Sequence, residues 1–272
     1  MRSYIKWGQS PRLIVAFFLF LAGSESLGGG MPALADTAPA ASEEGLFPNA
    51  TIDRMARASV PIACATNVEG KISIRNINGS GFFVNRKGDV VTAQHVVAAL
   101  SGCIPAIYVP RSGWSFTDEI VDAKWYRISS CDQDASVDIA VCHLVANPFI
   151  DPTLHTALEV VGFDISTQPE GTPVAFTSFA LNNVHPITSV GIVSGYFWEN
   201  HRRFLLVDKG AWYGASGSAL YEADGRVVGI VLQAGMCETS TQGSCRYDGL
   251  TFAQTAGFID GFLTQHNVAH QV

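Results

Sequence analysis

Three stretches of the chain carry residue types that together could perform nucleophilic acyl transfer. In Gly214-Ala215-Ser216-Gly217-Ser218-Ala219-Leu220 a serine stands between glycines, ahead of the apolar run Val227-Val228-Gly229-Ile230-Val231. Flanking glycines let a backbone turn sharply and approach a reacting carbonyl. Ser216 can therefore offer a hydroxyl while the amides of Gly214 and Ser216 form an oxyanion hole. Asp89-Val90-Val91-Thr92-Ala93-Gln94-His95-Val96-Val97 reads as a strand delivering His95 into a short helical turn, where its imidazole would be the base for that hydroxyl. An acid to orient the imidazole can come from Asp132, Asp134 or Asp138, of which Asp138 alone precedes an apolar strand. Each piece is weak by itself, since Gly-x-Ser-Gly crowds ordinary turns; the combination is specific.

Such residues need a scaffold to converge. From Val60 the chain runs in short β-branched and aromatic stretches split by Gly, Asn, Asp and Pro, the spacing of a sandwich or barrel. Strands are expected at 60–66, 71–77, 81–84, 90–92, 104–109, 120–127 and 139–145. After a polar, Pro-containing interruption over 147–171 they resume at 173–177, 190–198, 204–207, 218–222, 227–233 and 250–252. The two halves are similar in size. Ala256, Ile259, Gly261, Phe262 and Leu263 lie in a segment ending near His266 that suits a short amphipathic helix. No long helix alternates with the strands, which excludes a parallel α/β sheet.

The N-terminus carries Arg2, Lys6 and Arg12, the apolar run Leu13 to Ala22, and small residues ending in Ala33-Leu34-Ala35, the layout of a secretory signal peptide over 1–35. The apolar run falls short of the roughly 20 residues a membrane-spanning helix needs, so stable membrane insertion is not expected once the leader is removed. Residues 36–57, rich in Ala, Pro, Ser and Glu, read as a flexible leader or propeptide. A net charge of −7 with 17 Lys and Arg argues against nucleic acid. Neither a CxxC pair nor HExxH is present, and no metal or other cofactor is expected. All 6 cysteines follow the leader, and an even number in an exported chain points to disulfides and a secreted or periplasmic location.

Over residues 60 to 265 the chain resembles the trypsin-like (chymotrypsin-fold) serine proteases, particularly bacterial ones including the HtrA type. The resemblance rests on Gly79-Ser80-Gly81-Phe82-Phe83-Val84, Thr92-Ala93-Gln94-His95-Val96, Asp138-Ile139-Ala140-Val141 and the serine loop. Gly191-Ile192-Val193-Ser194-Gly195 also looks like a second-barrel strand of the HtrA type. The resemblance implies an all-β fold of two packed antiparallel six-stranded barrels with a short C-terminal helix. Residues 58–150 would form the barrel with His95 and Asp138, and 151–272 the linker, the barrel with Ser216 and the helix. It selects Asp138 as the acid and implies a serine endopeptidase acting on protein or peptide substrates through an acyl-enzyme. The base of the pocket maps to Gly210, which implies small or apolar side chains before the cut, unless a register shift brings in Asp208. Leu232, Gln233 and Ala234 would line the pocket edge and pair with an extended substrate.

One further departure matters. Digestive members carry an aspartate before the nucleophile that pairs with a newly cut N-terminus; here the position is Ala215, so the oxyanion loop must be preformed or set by another contact. Of the fifteen connectivities that six cysteines allow, none of which the sequence alone fixes, neighbouring pairs fit the resemblance: Cys64 with Cys103, Cys131 with Cys142, and Cys237 with Cys245 would tie the His-bearing loop, the Asp-bearing hairpin and a pocket-rim hairpin. The alternatives are an inactive relative serving as a secreted binding module, and an esterase of another fold. The second lacks support, because the Gly-x-Ser-x-Gly elbow is missing and the chain order of the three groups is wrong for it.

Overall fold

Strands with one apolar face must cover it or close upon themselves, and these strands close. The computed structural model describes residues 45–68, 71–113, 122–199, 202–238 and 244–272, with the backbone alone at 68, 71, 233–238 and 244–248. The expected leader 1–35 and the residues up to 44 lie outside the described residues.

The first barrel comprises β1 (Ser59–Val68), β2 (Lys71–Phe83), β3 (Val90–Ala93), β4 (Ile104–Pro110), β5 (Ala123–Asp134) and β6 (Ile139–Leu144), closed in the order β1-β2-β3-β6-β5-β4. The second comprises β7 (Pro173–Ser178), β8 (Ile187–Glu199), β9 (Arg202–Asp208), β10 (Ala219–Tyr221), β11 (Val227–Glu238) and β12 (Ser244–Thr255), closed in the order β10-β11-β12-β9-β8-β7. Read in reverse, the second order repeats the first, so both barrels share one antiparallel topology. The two six-stranded barrels expected from the resemblance are present.

Alternation along the strands fills each interior. Ile62, Phe82, Val91, Ile107, Tyr126 and Val141 are buried in the first half, and Val174, Phe176, Val193, Leu205, Leu220 and Val231 in the second. Burying each such side chain contributes about 1.5–3 kcal/mol. The polar connector after β6 crosses between the barrels: Val161 N donates to Phe83 O at 3.1 Å, and the Phe163 ring meets Phe82 edge-on at 6.4 Å. The C-terminal helix α3 (Ala256–Gln265) buries Ala256, Ile259, Phe262 and Leu263 of the residues read from the sequence, while Gly261 is exposed.

Residues 49–57 are not the flexible stretch expected. They lie in helix α1 (Asn49–Ala58), and Phe47, Thr51 and Met55 face the folded body at helical spacing, with Phe47 edge-on to Tyr221 at 5.9 Å. Thr51 Oγ1 donates to Ala223 O at 2.7 Å. The helix itself holds only two large apolar side chains, Ile52 and Met55, too sparse to register as a period, and the contacts of Phe47 and Thr51 are with the second barrel. β2 is likewise one continuous strand where a break was expected near Asn78, because its pairing with β1 continues through bulges.

Cys64 and Cys103 are bonded across 39 residues, and Cys131 and Cys142, opposite each other in the β5–β6 ladder, across 11. Restricting the unfolded chain over such loops contributes roughly 4 and 3 kcal/mol. Cys237 and Cys245 face each other in the β11–β12 register, but their side chains lie outside the described ones.

Candidate active site

His95 follows β3, whose four residues are all buried, so the strand fixes the point at which the chain reaches the surface. The short helix α2 (Gln94–Ala98) begins there, and helix starts leave amides without partners. Asp138 satisfies two of them: its carbonyl accepts from Gln94 N at 3.2 Å and its Oδ1 from His95 N at 2.9 Å. Its other oxygen, Oδ2, lies 2.8 Å from His95 Nδ1. One carboxylate thus caps the turn and grips the ring. Asp138 does so from the left-handed region at φ 55°, which aspartate enters more readily than most residues.

The other aspartates considered from the sequence are placed elsewhere. Asp134 accepts from Ser136 N and Oγ at 2.7 and 2.6 Å, and these bonds, the hydroxyl's first, hold its carboxyl below the usual carboxylate range. Asp132 lies 3.3 Å from His143 Nε2, and Asp89 lies 2.8 Å from His143 Nδ1. Burial alone would lower the pKa of His143, but hydrogen bonds to the two carboxylates outweigh it and raise it. Both nitrogens of His143 are therefore occupied, as are both of His270, by Val268 O and Asp260. Among the described residues with a histidine–carboxylate hydrogen bond, only His95 keeps a ring nitrogen, Nε2, without a partner.

The loop carrying Ser216 turns at two glycines in the left-handed region, Gly214 at φ 92° and Gly217 at φ 86°. A Cβ on Gly217 would stand 2.1 Å from Ser80 O and 2.3 Å from Thr92 Oγ1, so only glycine lets this loop press against the first barrel. Ser80 N donates to Ser216 O at 2.8 Å. A Cβ on Gly79 would lie 2.5 Å from a methyl of Val96, the neighbour of His95, and 2.8 Å from Ser216 O. The imidazole turn and the serine loop therefore meet around Gly79 and Gly217. Ser216 Oγ itself donates to Leu232 O at 2.6 Å rather than to His95. Leu232 occupies a bulge in β11, between Val231 paired with Ala253 and Gln233 paired with Phe252, which turns its carbonyl out of the ladder.

Among the described residues, neither Gly214 N nor Ser216 N donates to a protein acceptor. Gly210 is half-buried, and a Cβ there would make only ordinary contact, 3.6 Å from Gly249 Cα. Asp208 ends β9 opposite Leu250 and is exposed. Gln233 and Ala234 continue β11, where their side chains lie outside the described ones.

Residues 79–230 match the family model of the trypsin-like peptidase domain. The chain belongs to the trypsin-like peptidase family. A comparison with curated proteins finds no match. The family match and the twin barrels support a protease-type function acting on protein or peptide substrates.

The contacts that brace the loop of this peptidase domain leave little trace in the sequence. Ser80 is buried, donates to Gly214 O at 2.7 Å and accepts from Phe179 N at 2.9 Å. Leu181 N donates to Tyr213 O at 2.7 Å, from a segment in which Leu181 and Asn182 both adopt positive φ. A serine between two glycines was the only local sign, and its partners lie 134 and 99 residues away.

Proposed function

We propose that the chain is a serine endopeptidase in which Ser216 is the nucleophile, His95 the general base and Asp138 the orienting acid. The observation that carries this reading is the 2.8 Å contact of Asp138 Oδ2 with His95 Nδ1, which fixes the tautomer and leaves Nε2 as the basic nitrogen. Ser216 Oγ rotates from the Leu232 carbonyl toward Nε2, exchanging one hydrogen bond for another. It then attacks the scissile carbonyl while Nε2 takes its proton, and the unpartnered amides of Gly214 and Ser216 receive the oxyanion. His95 next returns the proton to the leaving amine, releasing it and leaving an acyl-enzyme; an activated water reverses the steps.

The substrate backbone lies along the edge of β11. Backbone pairing with β10 and the serine loop ends at Val231, so among the described residues the backbone of Gln233 and Ala234, and of Leu232 once Ser216 Oγ leaves its carbonyl, is open on that side to an added strand. Gly210 at the pocket base and an exposed Asp208 favour a small or apolar side chain before the cut. Profiling cleavage of a peptide library tests this, and strong selection for Arg or Lys would contradict it. Two disulfides, with no helix among the described residues long and apolar enough to cross a membrane, favour an exported protein, secreted or periplasmic.

The bond from Ser216 Oγ to Leu232 O favours a second reading, a catalytically silent binding module. Fluorophosphonate labelling and casein hydrolysis, each run beside a Ser216→Ala variant, separate the two. Labelling and hydrolysis by the wild type alone are expected. A folded wild type that neither labels nor cleaves would establish the silent module.

A further inference from the structure

An oxyanion hole works only if its donors point the right way before the substrate arrives. For Gly214 the direction of the amide is set by two peptide planes. The carbonyl of the 213–214 peptide accepts from Leu181 N at 2.7 Å, which turns the Gly214 N–H to the opposite side, since the two groups of a trans peptide point apart. The carbonyl of the 214–215 peptide accepts from Ser80 Oγ at 2.7 Å. Glycine has little resistance of its own to rotation, so these two bonds, with the Ala215 N–H donated to Trp212 O at 2.9 Å, hold the conformation. Ala215 is buried and uncharged, so no ion pair at that position can contribute.

Ser80 joins both restraints. Its hydroxyl donates to Gly214 O and accepts from Phe179 N at 2.9 Å, anchoring the segment that presents Leu181 to Tyr213. Its amide holds Ser216 O at 2.8 Å, and its carbonyl accepts from the buried Thr92 Oγ1 at 2.7 Å, two residues before α2 begins. The side chain is fully buried, where a hydroxyl with both roles filled has one orientation.

The geometry points to Ser80 as the positioning residue that locks the oxyanion loop in its productive form, through Gly214 and Phe179, without touching substrate. This rests on the peptidase reading above and deepens it. Removing the hydroxyl leaves the 214–215 peptide held only through Ala215 N–H to Trp212 O and loosens the Leu181 strap, so the amide of Gly214 is aimed correctly for only part of the time.

The test compares wild type with Ser80→Ala and Ser80→Thr, the second keeping the hydroxyl. The probes are the peptide amide preferred in the library, its aldehyde, which forms a tetrahedral adduct on the serine, and its cleaved acid product. For Ser80→Ala, kcat should fall about 10- to 100-fold with KM within about threefold, and aldehyde affinity should fall in parallel. Binding of the acid product should stay unchanged, and Ser80→Thr should recover most of kcat. A merely structural role would lower Tm without splitting aldehyde from product. If Ser80→Ala does not fold, Ser80→Cys, of similar volume but a weak donor, is read the same way. Kcat within about twofold of wild type, equal losses for aldehyde and product, or failure of both variants to fold would overturn the assignment and leave the peptidase reading standing. A wild type with neither turnover nor label would instead sink that reading.

Discussion

Replacing Asp138 by asparagine isolates the role of one carboxylate from the fold that carries it. His95 N–H can only donate, so the carboxamide must turn its oxygen to that amide, keeping the 2.9 Å bond made by Oδ1. The amide nitrogen then faces His95 Nδ1, where Oδ2 stands at 2.8 Å. A donor there forces Nδ1 to become the acceptor and moves the ring proton to Nε2, which can no longer take the proton of Ser216. The flipped amide would set two donors against each other at His95 N and is disfavoured. A wrong tautomer costs about 10⁴ in kcat, or about 5.5 kcal/mol of transition-state stabilisation at 1.36 kcal/mol per tenfold. Asparagine accepts the left-handed backbone at φ 55°, so Tm should change little. The assay is kcat and kcat/KM on the library-selected peptide amide, with thermal unfolding alongside. A folded Asp138→Asn variant keeping kcat within tenfold of wild type would refute the reasoning.

Two further outcomes follow from contacts outside the proposed triad. Gly217→Ala places a methyl 2.1 Å from Ser80 O at φ 86°, and left-handed strain together with overpacking should cost roughly 2–5 kcal/mol in a denaturant melt; a loss below about 1 kcal/mol would show that the two barrels do not press together here. Asp151 is held well below the usual carboxylate range by hydrogen bonds from Lys124 first, then Tyr126 Oη at 2.6 Å and Thr153. A lowered folded-state pKa stabilises above the unfolded value, about 3.9, and that stability is lost as pH falls below it. Asp151→Asn should therefore lower Tm at pH 7, with the gap to wild type closing as the pH drops below about 4; a gap constant down to pH 2.5 would disprove the linkage.

The elements and the chemistry were legible in the sequence for different reasons. Alternation of apolar residues has a period short enough to read from a few positions, so most strands and the buried stripe of α3 are local facts. The glycines around Ser216 announced a sharp turn, and the apolar strand after Asp138 separated it from Asp132 and Asp134. The helix α1 was missed because two large side chains suffice when a barrel surface waits to receive them. The bulge at Leu232 and the continuous course of β2 depend on partner strands that no local pattern reveals.

Residue types and their order along the chain thus determined which groups could do chemistry: an imidazole, a carboxylate and a hydroxyl, each next to the end of a strand or in a glycine turn. Orientation was left to the tertiary structure. Asp138 could be known to touch both the amide and the ring of His95 only after β3 and β6 had paired, and Ser80 could be known to govern Gly214 only after the two barrels had met. Hydrogen bonds act over about 3 Å, whereas Ser80 and Gly214 are separated by 134 residues of chain.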